Sequence, residues 1–117
     1  MQDKIIELVK DKTVKVCCHW DADGVTSGAL IYHLIKPYAK EITTISKGMV
    51  FEVKKEDIDQ EEVIICADIP PAKEILDKTI IYIDHHPSNI SEQCALAIHD
   101  DQYQSCSLLI YEKILED

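Results

Sequence analysis

The sequence predicts an α/β fold, a mainly parallel five-stranded sheet with helices on both faces in a Rossmann-like arrangement. Three observations point there. Short apolar runs (TVKVCC, EITTIS, EVIICAD, KTIIYIDHH and ALAIH) recur between stretches of helical or turn character. Most of these runs are continuously apolar rather than alternating, as expected of strands buried on both faces. Three of them stop abruptly on Asp and His.

Taken in order, residues 2–11 place Ile5, Ile6, Leu8 and Val9 among charges at a 3.6-residue period, an amphipathic helix. Residues 13–18 are β-branched and apolar and read as a buried strand. Residues 24–35 have the length and spacing of a helix, and Pro37 stops it. A second strand covers 41–46. Residues 47–61 are ambiguous: MVFEV could pair as a strand, and KKEDIDQEE is a solvated charge run. The third strand, 62–68, leads into Pro70 and Pro71, which open a short helix. The fourth covers 78–86 and the fifth 95–99, and a final helix covers 103–115. No repeat, linker or low-complexity tract interrupts this order.

At 117 residues the chain has room for one domain with one core, and an open site is expected rather than an enclosed pocket. No apolar run approaches the roughly 20 residues that span a bilayer, so no membrane role is expected. The N-terminus MQDKIIELVKDK lacks the apolar core of an export signal. The five cysteines, Cys17, Cys18, Cys66, Cys94 and Cys106, are odd in number and show no C-x-x-C spacing. Their use predicts a reducing compartment, the cytoplasm. Net charge is −10, and all twelve basic residues are lysine. Binding to duplex DNA is therefore expected to be poor, and the arginine fork that usually clamps a phosphate is missing. Bound divalent cations can still reverse the local field and admit a phosphate.

In an open parallel sheet all carboxyl ends lie on one edge, where ligands bind. The first strand ends at His19, Asp21 and Asp23, the third at Asp68, and the fourth at Asp84, His85 and His86. Four acids and three imidazoles would converge there. Neighbouring carboxylates raise one another's pKa unless a cation sits among them. Mixed carboxylate and imidazole donors suit manganese, magnesium, iron or zinc, and the donors outnumber the needs of one ion. Two ions sharing a carboxylate, roughly 3.5–4 Å apart, form the standard device for phosphoryl hydrolysis. Each motif alone has a plainer explanation. Asp21 and Asp23 before Gly24 could be a turn and helix cap, and Asp68 before IPP another cap. The recurrence at three strand ends favours the metal reading.

HWDADGVTSG, the isolated acid of IICAD, and IDHHP resemble the first three motifs of the DHH phosphoesterase superfamily, over most of the chain from about residue 13. The compact H-x-D-x-D-G form is similar to the RecJ-like and oligoribonuclease-like branch, and YQSCSLLIYEKIL resembles the helix after the third motif. The resemblance implies that His19 and Asp21 bind one Mn2+, that Asp23 and His85 bind a second, and that Asp68 bridges them, with Mg2+ as the alternative metal. It implies that His86 contacts the scissile phosphate or leaving group, that Asp84 orients a histidine, and that a hydroxide between the metals attacks.

The remaining residues carry weaker expectations. Gly24 and Gly28 let backbone or phosphate approach the helix closely, Thr26 and Ser27 are capping candidates, and His33 belongs to packing. His99 is a weaker candidate for substrate contact. The family's fourth motif, an aspartate, and its basic C-terminal substrate domain have no counterpart here; Asp100, Asp101 and Asp117 do not stand in that context. The second metal is therefore expected to bind less tightly, and the chain to be an N-terminal part or to need a partner chain.

The function expected is metal-dependent hydrolysis of phosphodiesters in single-stranded nucleic acid or short nucleotides. The alternative is a non-catalytic binding module of a replication or repair complex, favoured by the acidic, arginine-free composition and opposed by the nearly complete ligand set. A receiver-like domain with acidic strand ends would explain the acid pair but not the DHH triplet.

Overall fold

The computed structural model describes residues 1–86 and 90–116. The order is α1 (Gln2–Val9), β1 (Thr13–His19), α2 (Ala22–Ile35), β2 (Glu41–Lys47), β3 (Val63–Ala67), β4 (Thr79–Asp84), β5 (Leu96–His99) and α3 (Cys106–Ile110). A π-helical turn, Tyr111–Leu115, continues α3. Single 3-10 turns occupy Lys55–Asp57, Lys73–Ile75 and Ser91–Gln93.

The strands form one sheet in the order β2-β1-β3-β4-β5, and every pairing is parallel. The chain leaves β1 toward β2 on one side and returns to β3 on the other. The gap between the carboxyl ends of β1 and β3 is thus the topological switch point, where loops diverge and leave a crevice.

Alternating residues of the central strands feed two cores. On one face Val14, Val16, Ile65, Ile81 and Ile83 pack against Ile5 and Val9 of α1, Ile31 and Ile35 of α2, and Leu109 and Ile110 of α3. On the other, Cys17, Ile64, Cys66, Ile80 and Tyr82 meet Val53, Ile58, Ile69 and Ile75 from the segments carrying the 3-10 turns. Burying each of these large aliphatic side chains contributes about 1.5–3 kcal/mol. Burial on both faces explains why β3 and β4 read as unbroken apolar runs, whereas β2, at the sheet edge, is half exposed.

The ambiguous segment after β2 forms no strand. Val53 makes an isolated parallel bridge to Pro71, and its N–H donates to the Pro70 carbonyl at 2.9 Å. The segment is anchored by Val53 and Ile58 in the second core and by mostly buried ion pairs of Asp57 with Lys47 and of Glu61 with Lys15, the latter at 3.7 Å. The helix expected after Pro70 and Pro71 is only the turn Lys73–Ile75, and β4 begins four residues later at Thr79. The last helix starts at Cys106 rather than residue 103, since Ser105 is its N-cap and accepts from the Leu108 N–H at 3.2 Å. Among the described residues no helix is long and apolar enough to cross a membrane.

Gly24 shows how tightly α2 is set on the sheet edge. A Cβ at this position would lie 2.1 Å from the carbonyl oxygen of His19. Helix propensity alone makes Gly24→Ala stabilising by about 1 kcal/mol. The contact reverses that sign: we expect Gly24→Ala to lose roughly 1–3 kcal/mol, measured by urea denaturation.

Candidate metal centre

Parallel register brings the chemistry-bearing strand ends level. Cys18 pairs with Ala67 and Ala67 with Ile83, so His19, Asp68 and Asp84 emerge side by side on the carboxyl edge. Asp68 and His19 thereby face each other across the switch point.

Asp68 is 2% exposed and has φ 64°, a left-handed conformation that Asp adopts more readily than most residues. Its N–H donates to the Ile83 carbonyl at 2.9 Å, which holds the turn against β4. Burial, with the carboxylates of Asp23 and Asp84 nearby, pushes its pKa up to about 6. Its Oδ1 is buried and accepts no hydrogen bond, although His85 Nε2 lies 3.3 Å away and His86 Nδ1 3.7 Å away.

The histidines explain that orphaned oxygen. His85 Nδ1 lies 3.2 Å from the Tyr103 carbonyl, which can only accept, so this nitrogen carries the proton in the neutral ring. Nε2 is then a lone pair aimed at Asp68 and, at 3.6 Å, at Asp23. His86 Nδ1 lies 2.6 Å from Asp84 Oδ1, leaving its Nε2 for the half-exposed side of the ring.

Asp84 is fully buried and saturated with donors. Tyr82 donates its hydroxyl to Oδ2 at 2.7 Å, while the backbone N–H groups of His85 and His86 donate to Oδ1 at 2.7 and 3.1 Å. This carboxylate fixes the backbone and one ring of the residues that follow it. His99 holds the same stretch from β5, its Nε2 bonded to the His86 carbonyl.

Asp21 combines the two readings open from the sequence. Its Oδ1 caps α2 by accepting from the Gly24 N–H at 2.8 Å, a bond that holds its carboxyl below the usual range. Its Oδ2 lies 3.0 Å from His19 Nδ1, without hydrogen-bond alignment, and that nitrogen is buried and unpartnered. Asp21 therefore takes the capping role considered for Thr26 and Ser27; Thr26 is exposed and Ser27 is buried.

Asp23 stands apart. Its Oδ2 accepts from the Cys106 N–H at 2.9 Å, and its Oδ1 from the Ser107 N–H at 2.9 Å and the Ser107 hydroxyl at 2.8 Å. It ties the start of α3 to the first turn of α2, with one oxygen still within reach of His85.

Two groups therefore offer ligand atoms within 4.8 Å of one another: His19, Asp21 and Asp68, and Asp68, Asp84, His85 and His86. Asp68 belongs to both. A set of carboxylate oxygens and imidazole nitrogens, partly buried and partly exposed, suits a hard or borderline divalent cation such as Mn2+ or Mg2+. Thiolate is not on offer, since burial raises the thiols of Cys18, Cys66 and Cys106, and that of Cys17 to about 12.

Other candidates fall outside the centre. His33, expected in packing, is exposed on α2 because its position faces away from the sheet. Asp100 is engaged by Lys113 at 3.1 Å, and Asp101 is exposed. Pro87 and Asp117 lie outside the described residues. The supporting roles of Tyr82, Tyr103 and Ser107 were not anticipated. Tyr82 alone had a signal, being two residues before Asp84 and so on the same strand face.

A buried acid whose pKa is raised stabilises the fold below its unfolded value and loses that contribution as pH rises through the folded value. For Asp68 the loss falls between about pH 4 and pH 6. Metal-free Asp68→Asn, which suits the same left-handed backbone, should thus melt several degrees above the wild type at pH 7.5, with the gap closing toward pH 4. The difference at pH 7.5 is of order 1–3 kcal/mol.

The model of the DHH family, N-terminal domain, matches residues 13–116. Among solved structures the chain is similar to an exopolyphosphatase-related protein from Bacteroides fragilis, at 22% identity and TM-score 0.65, over 97% of this chain and 42% of that one. It is similar also to exonuclease RecJ bound to manganese, at 17% identity and TM-score 0.67, over 94% of this chain and 35% of that one. This chain thus spans less than half the length of either structure, and at these identities the likeness is one of fold. No curated protein matches it. The parallel sheet, the motif order and the family match together place the chain in the DHH family, as its N-terminal domain.

Proposed function

We propose that this chain is the metal-binding part of a phosphoesterase that hydrolyses phosphodiester bonds in single-stranded nucleic acid or short nucleotides. The observation that carries the reading is Asp68, a buried carboxylate shared by two groups of potential ligands at the switch point of the sheet. His19 and Asp21 would hold one Mn2+ or Mg2+, His85 and Asp23 the second, and Asp68 both. When bound, such ions supply positive charge that neutralises phosphoryl oxygens and acidifies water for in-line attack.

The chain's own groups prepare that chemistry. Tyr103 fixes the His85 tautomer, so that Nε2 is available as a ligand. Asp84 holds His86 by Nδ1 and by its backbone N–H, leaving Nε2 to meet a phosphoryl or leaving-group oxygen. Because the chain has no arginine, further substrate contacts are assigned to a second domain or a partner chain. All five cysteines are free thiols, which supports a reducing, cytoplasmic setting.

The test is hydrolysis of a short single-stranded oligonucleotide with Mn2+, with EDTA, and with His86→Ala. The expected result is turnover that EDTA abolishes and that His86→Ala lowers by roughly 10²-fold or more, with manganese binding retained. A chain that binds manganese and nucleotide but never turns over would favour the non-catalytic module.

A further inference from the structure

The mouth of the centre carries an apolar rim with no part in holding metal. Among the large apolar side chains left exposed, Trp20, Val25, Met49, Val50 and Phe51 fall on the first turns after β1 and β2. The rim is built rather than incidental. The Trp20 N–H donates to the Lys47 carbonyl at 2.9 Å, and its indole lies on Gly48 so closely that a Cβ there would sit 1.8 Å from the ring. A larger residue at this position would force the indole or the loop aside. The Phe51 ring stands edge-on to His19 at 4.7 Å and to His86 at 5.6 Å between centroids. It is still 43% exposed. An aromatic ring buttressed by two imidazoles of the centre, and open on its remaining surface, is arranged to receive another ring.

In an acidic chain without arginine, the contact this chain itself offers a substrate beside the metal-ligand groups is this exposed apolar surface. An unpaired nucleobase presents a π-face for that purpose, whereas an inorganic phosphate chain presents nothing such a rim could hold. We infer that Phe51 is the base-stacking platform of this site and makes it prefer unpaired nucleotides over base-free phosphates. The inference rests on the phosphoesterase reading and adds a substrate feature to it.

Trp20 is the only tryptophan and reports on the rim directly. Adenosine 5′-monophosphate and ribose 5-phosphate are titrated into the manganese-loaded chain while its fluorescence is followed. The expected result is binding of the nucleotide about tenfold tighter than of the sugar phosphate, a gap that Phe51→Leu closes and Phe51→Tyr keeps. Melting curves of both variants check that the exposed substitution leaves the fold intact. Equal affinities in the wild type, binding of neither ligand, or a gap that survives Phe51→Leu would overturn the inference. So would concentration-dependent dimerisation removed by Met49→Lys with no ligand preference, which would make the rim a protein interface. Hydrolysis of a base-free phosphodiester is followed in parallel. Absence of hydrolysis both of that diester and of a short single-stranded oligonucleotide speaks against the phosphoesterase reading, while the binding ratio alone decides the platform.

Discussion

Negative charge held out of water at the carboxyl edge of the sheet is the constraint around which this small fold is arranged. Asp68 and Asp84 are at most 2% exposed, and Asp23 stands within the same neighbourhood. Isolated buried carboxylates are strongly unfavourable, and adjacent ones more so. Such an edge persists only because the rest of the chain is a stiff, Ile-rich sheet packed on both faces, and because its charges are answered locally by other means.

Those answers differ between the acids, and the difference sorts their roles. Asp84 receives a hydroxyl, two backbone N–H groups and a ring nitrogen, and is complete without any ligand. Asp23 is largely answered by the first N–H groups of α3 and the Ser107 hydroxyl. Asp21 spends one oxygen on capping α2 and turns the other to His19. Asp68 Oδ1 has nothing. Asp84 thus belongs to the scaffold, Asp21 and Asp23 serve the scaffold while each keeps an oxygen near a histidine of the centre, and Asp68 Oδ1 is left without a hydrogen bond.

Much of this was readable in the residues. Strand positions followed from apolar runs too short for helices, and convergence of the motifs followed from parallel strands sharing one edge. The HWDADG, IICAD and IDHH stretches identified the family because they join strand ends to ligand types at fixed spacing. What escaped depended on contacts between distant segments. Asp23 meets Ser107 across 84 positions, and no local pattern announces that bond. The segment from Lys47 to Glu61 carried conflicting signals, a β-like MVFEV before a run of charges, and tertiary anchoring of Val53 and Ile58 settled it as irregular chain. Phe51 lies within that segment, and its place against His19 and His86 depends on tertiary contacts that no local pattern carries.

The measurement that bears most directly on the shared carboxylate is electron paramagnetic resonance of the chain titrated with Mn2+, beside Asp68→Asn. The account predicts two ions bound close together, seen as an exchange-coupled spectrum that Asp68→Asn abolishes. A single uncoupled six-line signal, unchanged in Asp68→Asn, would contradict it.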